Sequence, residues 1–128
     1  MEQGIKTSFN ITRSTSIIAH AIVRKTGIKY KTLHHVMIED FYNGDRKIEP
    51  RLEIRAYTDP YYVKKKVIEQ ITMSKEDYGK IEELVEQLGA PQGVILFQAM
   101  LNFCEKWAKR LWTEEEFTEL FKIKNVKE

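Results

Sequence analysis

A short alternating strand followed by two apolar helical stripes occurs twice in this chain, and that repetition constrains the fold more than any other feature. In the second half, Ile68-Glu69-Gln70-Ile71-Thr72-Met73 alternates before Ser74. Tyr78, Ile81, Leu84, Val85 and Leu88 then recur at helical spacing up to Gly89, and Val94, Ile95, Leu96, Ala99, Met100, Phe103 and Trp107 form a second stripe. In the first half, Thr7-Ser8-Phe9-Asn10-Ile11-Thr12 alternates before Ser14. Ile18, Ala19, Ile22 and Val23 lead to Gly27, and Tyr30, Leu33, Met37, Ile38 and Phe41 follow.

The two halves are related by one constant offset: Phe9 falls on Ile71, Ile11 on Met73, Ala19 on Ile81, Ile22 on Leu84 and Val23 on Val85. Gly27 falls on Gly89, Leu33 on Ile95, Ile38 on Met100 and Phe41 on Phe103, and few of these pairs are identical residues. The repeat is one of pattern. A strand and two helices cannot bury their apolar faces alone, so each unit needs a second copy, from another chain or from this one.

The run Ile71-Thr72-Met73-Ser74-Lys75-Glu76-Asp77-Tyr78, with Ile81, Leu84, Gly89 and the apolar spacing from Ile95 to Phe103, resembles the ribbon-helix-helix family of DNA-binding proteins, the group of the Arc and methionine repressors. The resemblance covers about 40 residues well and about 35 more, in the first half, weakly. Glu69 at an inward strand position, and Gly93-Val94 where the family has an acidic residue, depart from the pattern. Such proteins pair two strands into an antiparallel ribbon that enters the major groove. The resemblance therefore implies an internal pseudo-dimer, with strand 7 to 12 antiparallel to strand 67 to 73. Its shared core would draw on Ile18, Ile22, Leu33, Ile38, Phe41, Ile81, Leu84, Ile95, Met100 and Phe103. It also implies a role in repression, plasmid partition, relaxosome assembly or as a phage accessory factor.

The expected class is α+β, mainly helical, in a single domain over residues 1–128. It divides into a first strand-helix-helix unit at 6–43, a connecting segment at 46–66, a second unit at 67–110 and a C-terminal helix at 111–128. The patterning predicts strand at 6 to 12 and helices at 14 to 26 and 30 to 43. Strands at 51 to 57 and about 63 to 73 follow, then helices at 75 to 88, 92 to 110 and 114 to 123. Ser14 fits the N-cap of the first helix. Gly27 ends that helix, and Asn43-Gly44-Asp45 is expected to end the next in the same left-handed way. Arg51 to Tyr57 alternates and Thr58-Asp59-Pro60-Tyr61 is a turn, so a hairpin and a plain linker fit this stretch equally. Thr113-Glu114-Glu115-Glu116 is a capping box, and Phe117, Leu120 and Phe121 make one stripe on the helix it starts.

With 42% hydrophobic and 31% charged residues the chain reads as a soluble globular protein. Its apolar runs are too short to cross a membrane. Met-Glu-Gln-Gly-Ile-Lys has no signal-like apolar region, so a cytosolic location is expected. The single cysteine, Cys104, excludes an internal disulfide and reads as a packed core thiol. The net charge of +2 conceals an asymmetry. Residues 1–66 carry 13 Lys or Arg against 7 Asp or Glu, and residues 67–128 carry 8 against 12. The first half is suited to meeting phosphates.

Ser8, Asn10, Thr12, Ile68, Gln70 and Thr72 occupy outward strand positions. Asn and Gln can hydrogen-bond adenine in the major groove, and Ser or Thr can bond any base; a solvated polar sheet face shows the same alternation. Lys29, Lys31 and Thr32 open a helix whose free N–H groups and two lysines suit phosphate. Lys6, Arg13, Lys64, Lys65 and Lys66 complete the candidate double-stranded DNA contacts. Two other readings fit. Val23 to Ile28 with Leu33 and Val36 has helix-turn-helix spacing, and a hairpin at 51 to 73 would make it a winged helix with C-terminal dimerisation helices. The acidic, aromatic C-terminal half could instead grip a protein partner. His34 and His35 are helix neighbours facing different ways, and His20 and Cys104 lack partners at ligand spacing, so no metal site is expected. No phosphate loop, Rossmann pattern, nucleophile elbow or carboxylate pair is present, so neither catalytic residues nor a cofactor is expected.

Overall fold

A computed structural model describes residues 4–54 and 58–125 of the chain. In order the elements are β1 (Ile5–Ile11), α1 (Arg13–Thr26), α2 (Tyr30–Asn43), a single 3-10 turn (Pro50–Glu53), β2 (Val67–Met73), α3 (Lys75–Leu88), α4 (Gln92–Leu111) and α5 (Glu114–Asn125). The protein is α+β and mainly helical. β1 and β2 form a two-stranded antiparallel sheet in which Ile5 faces Met73, Ser8 faces Gln70 and Ile11 faces Val67.

The alternation in both strands sorts their side chains as the period of two requires. Phe9, Ile11, Ile71 and Met73 are buried, and Lys6, Ser8, Asn10, Ile68 and Gln70 are exposed. Beneath the sheet lie four helices. α4 is the central one, with Ile95, Leu96, Phe97 and Met100 fully buried, and it packs against β1, α1, α2 and α3. α2 packs on α4, α3 and β2. Every core residue expected from the pattern is buried except Ile18, which is only partly covered and faces a groove under α5.

Local signals account for most helix ends. Gly27 and Gly89 take φ of 75° and 66°, left-handed values that a glycine adopts without the Cβ clash. Each glycine's N–H bonds back to Val23 or Val85. Ser74 caps α3 by accepting from the Asp77 N–H at 3.0 Å, and Glu76 and Asp77 in that first turn suit the helix dipole. The capping box of α5 is present in both directions: Thr113 N–H donates to Glu116 at 2.9 Å, and Glu116 N–H donates to Thr113 Oγ1 at 3.2 Å. The Thr113 N–H, and after it the Thr113 side chain, hold the Glu116 carboxyl below its ordinary value.

Four local expectations need correction. Thr12, not Ser14, is the N-cap of α1; its Oγ1 accepts from the Thr15 N–H at 3.2 Å and lies 2.7 Å from the Thr15 hydroxyl. The helix begins as soon as the strand pairing ends, which leaves Thr12 as the half-in residue.

Gly44 does not end α2 in the left-handed region, for its φ is −99°. The reversal passes to Arg46, at φ 55°. The Arg46 side chain compensates: its Nε donates to the Tyr42 carbonyl at 2.7 Å, its Nη1 to Gln87 at 2.6 Å, and its guanidinium lies 4.2 Å from the Tyr42 ring centroid.

The strand expected at 51 to 57 is a 3-10 turn as far as residue 53; residues 55–57 lie outside the described residues. Pro50 presets the turn, Leu52 is buried, and the Leu52 and Ile54 N–H groups bond back to Glu49 and Arg51. Gln98 Oε1 accepts from the Glu49 N–H at 2.8 Å and fixes the segment to α4.

The strand expected from about residue 63 begins at Val67, and its partner is β1. Among the described residues no hairpin forms between 46 and 66, so the connection is a linker there, and the wing of a winged helix is not formed in that part. The turn at Thr58 to Tyr61 is present, with the Tyr61 N–H donating to Asp59 Oδ1 at 2.8 Å.

Candidate nucleic-acid interface

The outer face of the sheet is a ribbon of side chains in opposed pairs: Lys6 with Thr72, Ser8 with Gln70, and Asn10 with Ile68. All are exposed except Thr72, which is half-exposed. Hydrogen-bonding groups thus stand outward on a backbone ladder whose inner face is anchored in the core.

At the end of the ribbon where Ile11 faces Val67, Arg13 is exposed at the first turn of α1, and Lys64 and Lys66 are exposed on the approach to β2. At the other end stand Lys6 and, in the first turn of α3, the exposed Lys75. Lys75 is not among the candidates read from the sequence. Its signal is the repeat itself, because the offset that carries Phe9 onto Ile71 also carries Arg13 onto Lys75.

α2 packs against β2. One turn in from Lys29, His34 bonds through Nε2 to Glu69 Oε2 on β2 at 2.7 Å. Lys29 is the N-cap with extended backbone and makes no side-chain cap, and Lys31 and Thr32 are exposed. No side-chain cap among the described residues closes the first N–H groups of α2, and the exposed Lys29 and Lys31 belong to that helix end. Tyr30 turns inward. Its ring lies 6.0 Å from that of His34 and 5.3 Å from that of His20, and its buried hydroxyl has no hydrogen-bond partner among the described residues. Burial, with Glu69 nearby, pushes that hydroxyl up to about 12.

Two candidates are placed differently from the rest. Thr12 commits its hydroxyl to capping α1. Lys65 points into the fold: its Nζ donates to the Leu52 carbonyl at 3.3 Å and sits 5.7 Å from the Phe97 ring centroid, and burial lowers its pKa. Exposure alternates along Lys64-Lys65-Lys66, so the middle side chain covers the core while its neighbours stay in water.

His34 and His35 diverge as helix neighbours must. His34 goes inward to Glu69, while His35 faces outward, its Nδ1 2.7 Å from Asp77 and its Nε2 3.0 Å from Glu39. The Asp77 hydrogen bond holds the His35 imidazole above its ordinary value. Cys104 is buried, its Sγ 4.0 Å from the Thr15 carbonyl, and burial pushes the thiol up to about 12. Such a thiol is packing rather than chemistry.

No helix among the described residues is long and apolar enough to cross a membrane. Comparisons with protein-family models, curated proteins and solved structures find no match to this chain.

Proposed function

We propose that the chain is a sequence-specific double-stranded DNA-binding protein that reads the major groove with the β1–β2 ribbon, and that its two strand-helix-helix units form an internal pseudo-dimer. One observation carries this reading. The repeat offset, found in the sequence alone, makes Gln70 the counterpart of Ser8, and these two residues face each other across the sheet. A two-fold axis between equivalent strands requires that coincidence. The pair lies at the middle of both strands, Ile5–Ile11 and Val67–Met73, and a slipped register would move the axis off-centre and pair fewer equivalent positions.

The helix contacts follow the same operation. α1 packs on α4 as α2 packs on α3, and α4 touches β1 as α2 touches β2. Each half thereby covers the faces that the other cannot bury. Two units in one chain would perform the work that two chains perform in a dimeric ribbon protein.

In this reading Asn10 and Gln70 contact adenine edges, Ser8 and Thr72 supply shorter hydrogen-bonding groups, and Lys6 reaches guanine or phosphate. Arg13, Lys29, Lys31, Lys64 and Lys66, with Lys75, hold the phosphate backbone and fix the ribbon in the groove. The resemblance to ribbon-helix-helix proteins adds transcriptional repression and plasmid or phage accessory roles as the biological setting.

The test is a gel-shift titration of genomic fragments, followed by Asn10→Ala and Gln70→Ala. Each substitution should weaken specific binding by about 1 to 3 kcal/mol while nearly preserving affinity for random duplex. Equal weakening on both kinds of DNA would count against base reading by the ribbon.

A further inference from the structure

The pseudo-symmetry that supports the ribbon is broken on its outer face. Under the repeat offset Lys6 corresponds to Ile68 and Asn10 to Thr72. The end of the ribbon near Ile11 thus presents Asn10 opposite Ile68, and the end near Ile5 presents Lys6 opposite Thr72. A ribbon made from two identical strands has identical ends. This one has an amide beside an aliphatic side chain at one end, and an ammonium beside a hydroxyl at the other.

Ile68 is the anomaly. The inward residues of its strand are held by the core, yet Ile68 itself is 64% exposed, one of two large hydrophobic residues so exposed among the described residues. It stands on an otherwise hydrogen-bonding face, next to the basic side chains of Lys64 and Lys66 on the approach to the strand. In the major groove the one apolar group displayed on a base edge is the thymine C5-methyl. An exposed aliphatic side chain in a cationic ribbon is matched to that group.

We infer that this protein binds a non-palindromic site in which Ile68 selects thymine by contact with its methyl group. Asn10 takes an adenine in the same half, and Lys6 takes a guanine in the other half. The inference rests on the ribbon reading above. It goes beyond it by making the two half-sites chemically different and by giving the direction in which the protein lies on them.

The experiment is selection of duplexes from a randomised library by the full-length protein, followed by binding titrations with thymine replaced by deoxyuridine, which lacks only the methyl. The expected selected site has an A·T-containing half and a G-containing half. Replacing the contacted thymine should weaken wild-type binding about fourfold, the effect of removing one buried methyl-sized group, and should leave Ile68→Ala binding unchanged. Ile68→Lys, a substitution at an exposed position checked for folding by circular dichroism, should shift the A·T-containing half toward guanine. Selection of a palindrome, or equal sensitivity of wild type and Ile68→Ala to deoxyuridine, overturns this inference and leaves the ribbon reading standing. Failure to enrich any duplex overturns the ribbon reading itself.

Discussion

Beneath the ribbon the His34 imidazole meets the Glu69 carboxylate at 2.7 Å, with the two side chains only 6% and 12% exposed. Glu69 faces Phe9 across the sheet, and the Phe9 ring stands edge-on to His34 at 6.5 Å. The pair therefore ties β2 to α2 from inside the fold. By the repeat offset its counterpart in the other half is Leu96 with Thr7, and the Thr7 hydroxyl accepts from Gln92 Nε2 at 3.4 Å. One half of the molecule has a buried polar pair at these positions, and the other has the buried Leu96 and a threonine hydroxyl bonded to Gln92.

That contrast yields the first prediction. Glu69→Ala leaves His34 buried without its partner and should cost about 1 to 3 kcal/mol. The double variant His34→Leu with Glu69→Thr copies the other half of the molecule, and should recover most of that stability because neither group is then orphaned. Urea titration of the wild type, the single variant and the double variant measures both. A double variant less stable than Glu69→Ala would show that the polar pair does more than satisfy itself.

The second concerns pH. His35 is held above its ordinary value by its hydrogen bond to Asp77, with desolvation opposing, Glu39 adding and Lys80 subtracting. A raised folded-state value means that the stabilisation is fully present below the ordinary value of 6.5 and is lost as pH rises through the folded-state value. The His35 side chain is 50% exposed, so the effect should be small and should fade in high salt. The difference in melting temperature between wild type and His35→Gln should be larger at about pH 5.5 than at about pH 8.5. A difference that grows with pH would mean that the Asp77 contact does not favour the charged imidazole.

Third, the paired lysines at the start of α2 should act through phosphate. Replacing Lys29 and Lys31 together with alanine should weaken binding to all sequences and reduce the slope of log affinity against log salt by about 0.9 for each phosphate no longer neutralised. An unchanged slope would remove this helix end from the interface. The same pair of substitutions should leave the sequence preference intact, since neither residue lies on the outer face of the ribbon.

A fourth prediction concerns α5. It packs against α1, and Phe117 shares with Ile18, Leu101, Cys104 and Trp112 a groove of about 630 Å³. Phe117, Leu120 and Phe121 are only partly covered, and the rings of Phe117 and Phe121 meet edge-on at 5.2 Å. Deleting residues 113–128 should lower the melting temperature without changing the number of subunits in solution, because the helix docks within its own chain. The destabilisation should fall short of the 1.5 to 3 kcal/mol for each side chain that full burial would imply, roughly half of it. A truncation as stable as the full chain would instead mark the groove as a place for a partner.

The helices, the two paired strands and their buried faces were legible because the relevant signals are local and periodic. Strand alternation around Phe9 and Ile71, helical stripes closed by Gly27 and Gly89, and the capping box at Thr113 each depend on neighbours within a few residues. The sequence displays such neighbours directly. The exposed face of the ribbon followed from the same period of two. Lys75 is legible in the same way, since Arg13 carries onto it by the offset that defines the repeat.

What the chain alone determined is therefore the helices, the two paired strands and the buried face of each. Tertiary structure decided where polar atoms find partners across long separations. Glu69 at an inward strand position has no local remedy, and only the approach of α2 brings His34 to it. Lys65 turns inward because the Leu52 carbonyl and the Phe97 ring lie on that side. The stretch from Pro50 has the alternation of a strand but takes a turn as far as Glu53, where Gln98 on α4 accepts from the Glu49 N–H, Leu52 is buried, and no partner strand lies among the described residues. Periodicity is written in adjacent residues, whereas the satisfaction of a buried polar group depends on atoms that folding alone brings within about 3 Å.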